Sequence, residues 1–333
     1  MPDLHITNGD GAANLLKASA VDGDVLVWRD PMHHGPFPAG DLDTISEIRA
    51  RYLVGDGNDP SEAMRDFHLR NTHLRGFRKY QTVVLWFEHD LLDQLQILQI
   101  LDWFSGQKLG KTRLRMVCIG AFPGMAQFRG LGELTPDQIA TLDPQREDVT
   151  DAQLELAQQG WSAFQSPDPQ DLAAFIAGDL TALPFLKAAL QRHLQEYPWH
   201  DIGLTRSEAQ VLRLVSQGVQ SPVDIFTKNM DLEDAFFMGD WPTFRIIERL
   251  CSAGLLTCAP GPFWYPPWTP EDRPRFREQK LSVTSVGQQI LDGEETAFER
   301  VPRDQWMGGV HLESSKTMWT WNDRSGQLQQ RSP

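Results

Sequence analysis

Over the first 134 residues, short apolar runs alternate with longer amphipathic stretches, the pattern of a mostly parallel sheet covered by helices. Strands are expected at 4–7, 25–28, 82–87 and 114–119. Helices are expected at 12–19 and 90–104. The second is marked by a wide apolar stripe of Leu91, Leu92, Leu95, Ile97, Leu98, Ile100 and Leu101. The charged segment 41–80 reads as helical and holds Arg65, Arg70, Arg75, Arg78 and Lys79. These features predict a Rossmann-like α/β domain over 1–134.

Residues 135–202 read as a helical bridge, with Pro136, Pro144, Pro167, Pro169, Pro184 and Pro198 at its element boundaries. The capping box Thr205-Arg-Ser-Glu208 opens an amphipathic helix carrying Val211, Leu212, Leu214 and Val215, which stops at Gly218. A second helix begins at Ser221-Pro222. A third, 242–252, presents Phe244, Ile246, Ile247 and Leu250 and ends at Gly254. A strand at 255–257, the excursion GPFWYPPWTP, a returning strand at 280–283 and a helix at 284–291 complete a winged-helix-like α+β module over 203–292. Residues 293–333 read as a Trp-rich hairpin extension packed by Trp306, Trp319 and Trp321, with a frayed end.

Composition narrows the chemistry. The 333 residues carry a formal charge of −14, which repels phosphate backbones and anionic lipid unless a basic face is segregated. The third helix offers Arg245 and Arg249 behind Asp231, Glu233, Asp234 and Asp240, while Arg273, Arg275, Arg277 and Lys280 alternate with Glu271, Asp272 and Glu278. DNA is therefore a disfavoured partner. Trp264, Tyr265 and Trp268 either stack on a base or partner or pack the wing to the body. Cys118, Cys251 and Cys258 are too few and too scattered for a disulfide framework or a four-sulfur zinc site, which fits a reducing, cytoplasmic compartment. No apolar run reaches membrane-spanning length, and no leader pattern opens the chain.

Ligands of open α/β sheets bind outside the carboxyl ends of the strands, so the residues that follow each strand carry the functional expectation. The first strand ends in Asn8-Gly-Asp10-Gly11 and the second in Arg29-Asp30-Pro-Met-His33-His34. The third ends in Glu88-His89-Asp90, with Asp93 and Gln94 one turn into the following helix. Carboxylates and imidazoles gathered at one edge suit general acid–base work or a hard-metal site. Piece by piece the same residues also read as turns and helix caps, with Asn8, Asp10, Glu88 or Asp90 in the capping role. A Gly-Asp-Ser turn after a first strand begins one class of serine esterase, but Gly11 stands where that serine would be. No dinucleotide or Gly-Lys-Ser/Thr phosphate loop is present.

The stretches LHITNGDGAANLLKA, WRDPMHHGPFP, LWFEHDLLDQLQILQIL and FRGLGELTPDQI resemble the bacterial family of unknown function known as DUF1835. The likeness extends through LPFLKAALQRHLQEYP, LTRSEAQ and DQWMGGVHL and transfers no reaction or mapped site. The residues themselves carry the expectation: a hydrolase or group-transfer enzyme acting on a small polar or phosphorylated substrate. His89, Glu88, His34 and Asp10 are its catalytic candidates, and Asn8, Arg29, Asp90 and Gln94 its substrate contacts. Asp10, Asp30 and His34 are a candidate site for a divalent metal. The alternative is a ligand-sensing regulator whose winged helix binds DNA or a protein.

Overall fold

The computed structural model describes residues 1–265, 269 and 271–333, so the expected role of Trp268 lies outside the described residues. The chain forms two compact units, Met1–Gln191 with Trp306–His311, and Arg192–Gln305 with Leu312–Pro333.

The first unit opens with β1 (Asp3–Thr7), α1 (Asp10–Ala18), β2 (Gly23–Val27), β3 (Gly35–Pro36), α2 (Leu42–Val54) and α3 (Ser61–Arg75). There follow β4 (Thr82–Glu88), α4 (Leu91–Ser105), β5 (Arg113–Ile119), α5 (Pro136–Ala140), β6 (Glu147–Asp148), α6 (Asp151–Gln165) and α7 (Pro169–Ala177), and α8 (Leu186–Leu194) begins in this unit and ends in the second. Its five-stranded sheet has the order β2-β1-β4-β5-β6. All pairs are parallel except β5–β6, as the alternation of short apolar runs and amphipathic helices requires. The central strand β4 is buried at every position, so its sequence TVVLWFE shows no polar alternation. Along β4, Val84, Trp86 and Glu88 face the side covered by α1 and the segment 128–142, where Ala12, Leu16, Phe128, Leu131 and Leu142 pack. α4 packs against α6. Gly35 and Pro36 pair in parallel with Met307 and Gly308.

The second unit contains α9 (Arg206–Ser216), α10 (Pro222–Met230), α11 (Asp240–Ser252), β7 (Leu256–Ala259), α12 (Asp272–Glu278), β8 (Lys280–Val283) and α13 (Ser285–Leu291). β7 and β8 pair antiparallel. The Thr205 box forms as expected: Glu208 N donates to the Thr205 hydroxyl at 3.2 Å, and Thr205 N to Glu208 Oε2 at 3.0 Å. Thr205→Ala is expected to lower the stability of this unit by about 1 kcal/mol, read as a shift in its urea midpoint. α11 begins at Asp240, two residues before the expected start, because Pro242 occupies the first turn, where a missing N–H costs nothing.

The tail forms the expected hairpin, but without Trp306. Met318–Asn322 pairs antiparallel with Gln327–Arg331, so ladder bonds reach Arg331 and leave only Ser332 and Pro333 beyond them. Trp306 lies outside this hairpin and stacks on His311 at 4.4 Å within the first unit. Among the described residues no helix is long and apolar enough to cross a membrane.

Candidate functional site

The chain leaves β1 through α1 to β2 on one side and returns as β4 on the other, so strand order reverses between β1 and β4. In open parallel sheets the crevice at such a reversal, beyond the carboxyl ends, is where ligands bind. Here the two strands end in Thr7-Asn8 and Glu88-His89-Asp90, and their polar groups interlock across the crevice. Asn8 Nδ2 donates to Asp93 Oδ2 at 2.8 Å and to Glu88 Oε1 at 3.3 Å. Leu131 N donates to Glu88 Oε2. Asp90 caps α4 by accepting from Asp93 N at 3.0 Å, and Asp93 Oδ1 reaches back to Glu88 N at 2.9 Å. Gln94 Nε2 donates to Glu88 O at 2.7 Å. At Gly130, φ is +146°, and a Cβ there would run into the Glu88 carboxylate, so glycine lets the covering loop approach.

Glu88, Asp90 and Asp93 are all buried, and each offers an oxygen within 4.8 Å of the others, the one such group among the described residues. Crowding and burial oppose ionisation. Burial, followed by the charge of Asp90, pushes Glu88 up to about 8. Burial alone raises Asp90 to about 7 against the pull of its cap hydrogen bonds. Asp93 is held well above the carboxylate range by burial and then by Glu88 and Asp90. Near neutral pH the cluster thus retains protons that it can give up, which is the requirement of a general acid. The same oxygens could hold a divalent cation only by releasing those protons and several of the hydrogen bonds above.

The other expected residues separate into two neighbouring groups. Asp10 accepts from Arg29 at 2.5 Å in an exposed pair, and that hydrogen bond lowers the Asp10 carboxyl. Asp30 is fully buried, held by Arg49 Nη2 at 2.7 Å and Nε at 3.0 Å, while Arg49 Nη1 donates to His34 O at 2.7 Å. His34 Nδ1 pairs with the Tyr52 hydroxyl at 3.3 Å. The expected metal set Asp10, Asp30 and His34 is therefore not assembled: each acid is committed to a different arginine, and these residues do not form a close ligand group. His89 lies half-buried with its ring stacked on Phe128 at 6.0 Å and edge-on to Phe185 at 5.9 Å.

Two participants, the Leu131 amide and Arg49, escape a reading of strand ends, and Asp93 stands there without an assigned role. Asp93 is visible as an acid three residues after a helix-capping aspartate, yet its reach back to Glu88 is a tertiary fact. The Leu131 amide comes from a segment 43 residues beyond Glu88, and no local pattern announces it. Arg49 occupies the buried stripe Leu42, Ile45, Ser46, Arg49, Ala50, and a cation inside such a stripe is the signal that would have found it.

A cavity of about 480 Å³ adjoins the cluster, with Gln94, Cys118, Ile119, Glu147 and Phe185 in its wall. Glu88, Asp90 and Asp93 are not part of that wall. Burial pushes the Cys118 thiol up to about 12, so it is no nucleophile near neutrality. Comparison with models of protein families gave no match for this chain, and comparison with curated proteins gave none either.

Proposed function

We propose that the first unit is a Rossmann-like catalytic domain whose β1–β4 crevice performs acid–base chemistry, as a hydrolase or group-transfer enzyme on a small polar or phosphorylated substrate. The supporting observation is the buried trio Glu88, Asp90 and Asp93, whose oxygens lie within 4.8 Å of one another at the strand-order reversal. Glu88 is the general acid, Asp93 its carboxylate partner, and Asn8 holds the two together. Asp90 fixes the start of α4 and so the place of Asp93. His89 borders the site as a second proton carrier. Three helices followed by a two-stranded antiparallel ribbon support a winged-helix-like second unit, and the motifs quoted above support membership of the DUF1835 family. The free cysteines fit a cytoplasmic protein.

The rival reading, a DNA-binding regulator, has weaker support. Arg249 of α11 is bound to buried Glu208 at 3.1 Å and Arg275 lies over Trp264 at 4.4 Å, which draws cations away from phosphates.

The test is a turnover screen with phosphorylated and other small polar compounds, run on wild type and Glu88→Gln with matched circular dichroism. General acid–base catalysis predicts a loss of about 10²–10⁴-fold in the variant. Equal turnover by both proteins would remove Glu88 from the reaction. A divalent ion retained one per chain, and lost in Asp93→Asn, would replace proton transfer by metal-assisted chemistry.

A further inference from the structure

The cavity of about 480 Å³ beside α4 lies wholly within the first unit, between α4, β5, β6, the start of α6 and the segment 183–185. Its volume is that of a small-molecule site. Buried Ile97 and Leu183, with Met116 and Phe185, make its depth apolar, while exposed Glu147 and Asp148 stand at its mouth. Among the described residues no Lys, Arg or His belongs to the wall. Asp148 is bound to Arg115 at 2.6 Å, and Arg146 turns away to Asp3 at 2.7 Å. Glu147 forms no ion pair among the described residues, so the charge at the mouth is negative.

The buried end of the cavity carries an unanswered acceptor. Gln94 is 1% exposed and commits its amide nitrogen to Glu88 O at 2.7 Å and Cys118 Sγ at 3.4 Å. Its Oε1 takes part in no hydrogen bond among the described residues, although the side chain belongs to the cavity wall. An amide oxygen buried without a donor costs free energy that a ligand N–H or O–H recovers. An open peptide adjoins it. Along β5, Arg113 N donates to Gln81 O on the β4 side and Leu114 O accepts from Val149 N on the other, so alternate peptides face the sheet edge. β6 reaches no further than Met116, and Cys118, the next residue whose peptide faces outward, has no strand partner there.

We propose that this cavity binds a small organic cation with an apolar body, its ammonium group at Glu147 and a hydroxyl at its inner end against Gln94 Oε1 and the Cys118 peptide. Each part is set by the wall. An anion would meet only carboxylates and neutral groups, with no cation to offset its lost hydration. A second ammonium at the inner end would be desolvated against one neutral acceptor, whereas a hydroxyl donates to Gln94 and accepts from the Cys118 N–H. A wholly apolar ligand would leave the Gln94 acceptor unanswered. Phe185 adds an aromatic ring to the wall, a group that attracts ammonium. The site is separate from the β1–β4 crevice and does not depend on proton transfer by Glu88.

The test is titration calorimetry of the full-length protein at low ionic strength with tyramine, whose rigid ring joins an ammonium arm to a phenol. One site per chain with a Kd of about 1 mM or tighter is expected, the range open to so small a ligand. Phenethylamine lacks the hydroxyl and is expected to bind about two- to tenfold more weakly. Tyrosol lacks the charge and should lose about two- to fivefold. Desaminotyrosine, with a carboxylate in place of the ammonium, should not bind. Glu147→Gln, at an exposed position that leaves the fold intact, should bring tyramine down to the affinity of tyrosol. Gln94→Met should make tyramine and phenethylamine equal. Carbon-13 methyl labelling of methionine locates the ligand, since the Met116 methyl resonance should shift at saturation. The proposal is overturned by no tyramine binding, by tyramine bound no more tightly than phenethylamine or desaminotyrosine, by equal binding to wild type and Glu147→Gln, or by a Met116 methyl that does not move. These readings need only wild type and a surface variant, so they decide the matter even if Gln94→Met fails to fold.

Discussion

Arg49→Met is expected to destabilise the first unit by about 3–5 kcal/mol, the cost of leaving one member of a buried ion pair without its partner. Arg49 and Asp30 have side chains 0% and 1% exposed, so water cannot replace the lost contact. The arginine also donates to the carbonyls of Pro31 and His34 and lies 4.2 Å from the Phe37 ring, so it organises the loop that carries His33 and His34. Gly35 completes the fit at φ +88°, where a Cβ would collide with the Arg49 guanidinium and the Tyr52 ring. Nearby Arg70, lowered to about 10 chiefly by burial, feels both the attraction of Asp30 and the repulsion of Arg49. Losing Arg49 therefore leaves Asp30 with one distant cation, which places the cost toward the lower end of the range. Urea unfolding of Arg49→Met, and of the double variant Arg49→Met with Asp30→Asn, separates the terms. The double variant should recover part of the loss because no charge is left stranded. Single and double variants of equal stability would show that packing against Phe37, not the ion pair, is what Arg49 contributes.

The same arginine marks where sequence reading stops. The strands and helices around the site follow from short unbroken apolar runs such as TVVLWFE, from the apolar positions of α4 and from its cap Asp90, because those signals are local. The positions of Glu88 and Asp90 at a strand-to-helix junction were legible for that reason. Which acids would meet was not. Asp10, Asp30 and Glu88 end three strands of one sheet and look alike in sequence, yet Arg29 takes the first and Arg49 the second. Only Glu88 is left among acids, sealed by a loop contributed from residue 131. Charge by itself points Arg49 and Arg70 to the surface. Their spacing with Ile45 and with Phe67 and Leu74 places both inside buried stripes, where aromatic faces and neutral acceptors hold them.

Sealing Glu88 in this way has a measurable consequence for stability against pH. Its ordinary value is 4.5 and its folded value about 8, so between these limits the folded protein holds a proton that the unfolded chain releases. Stability is then greatest below 4.5 and falls as pH rises toward 8. Buried His5 and half-buried His73 are lowered by burial and act in the opposite direction up to their ordinary 6.5, which leaves pH 6.5 to 8 as the window carried by the buried acids, Glu88 with Asp93 and, up to about 7, Asp90. Over it, one retained proton corresponds to a loss of about 2 kcal/mol from the first unit, at about 1.4 kcal/mol per pH unit. Glu88→Gln should flatten that slope, and by more than one group's share, because the charge on Glu88 also helps to hold the Asp93 proton. Glu208 of the second unit gives the contrasting sign. Burial alone would raise it, but Arg303, Arg249 and the Thr205 amide together outweigh burial and bring it down to about 2, so its contribution is present above 4.5 and lost as pH falls through 2. Urea midpoints of wild type and Glu88→Gln at pH 6.5 and 8 decide the matter. If the slopes coincide, Glu88 is ionised throughout the window and has no proton to donate. If the slope of the variant is smaller, the fold spends stability near neutral pH to keep Glu88 protonated, and a buried acid kept in that state at the strand-order reversal is placed to donate its proton.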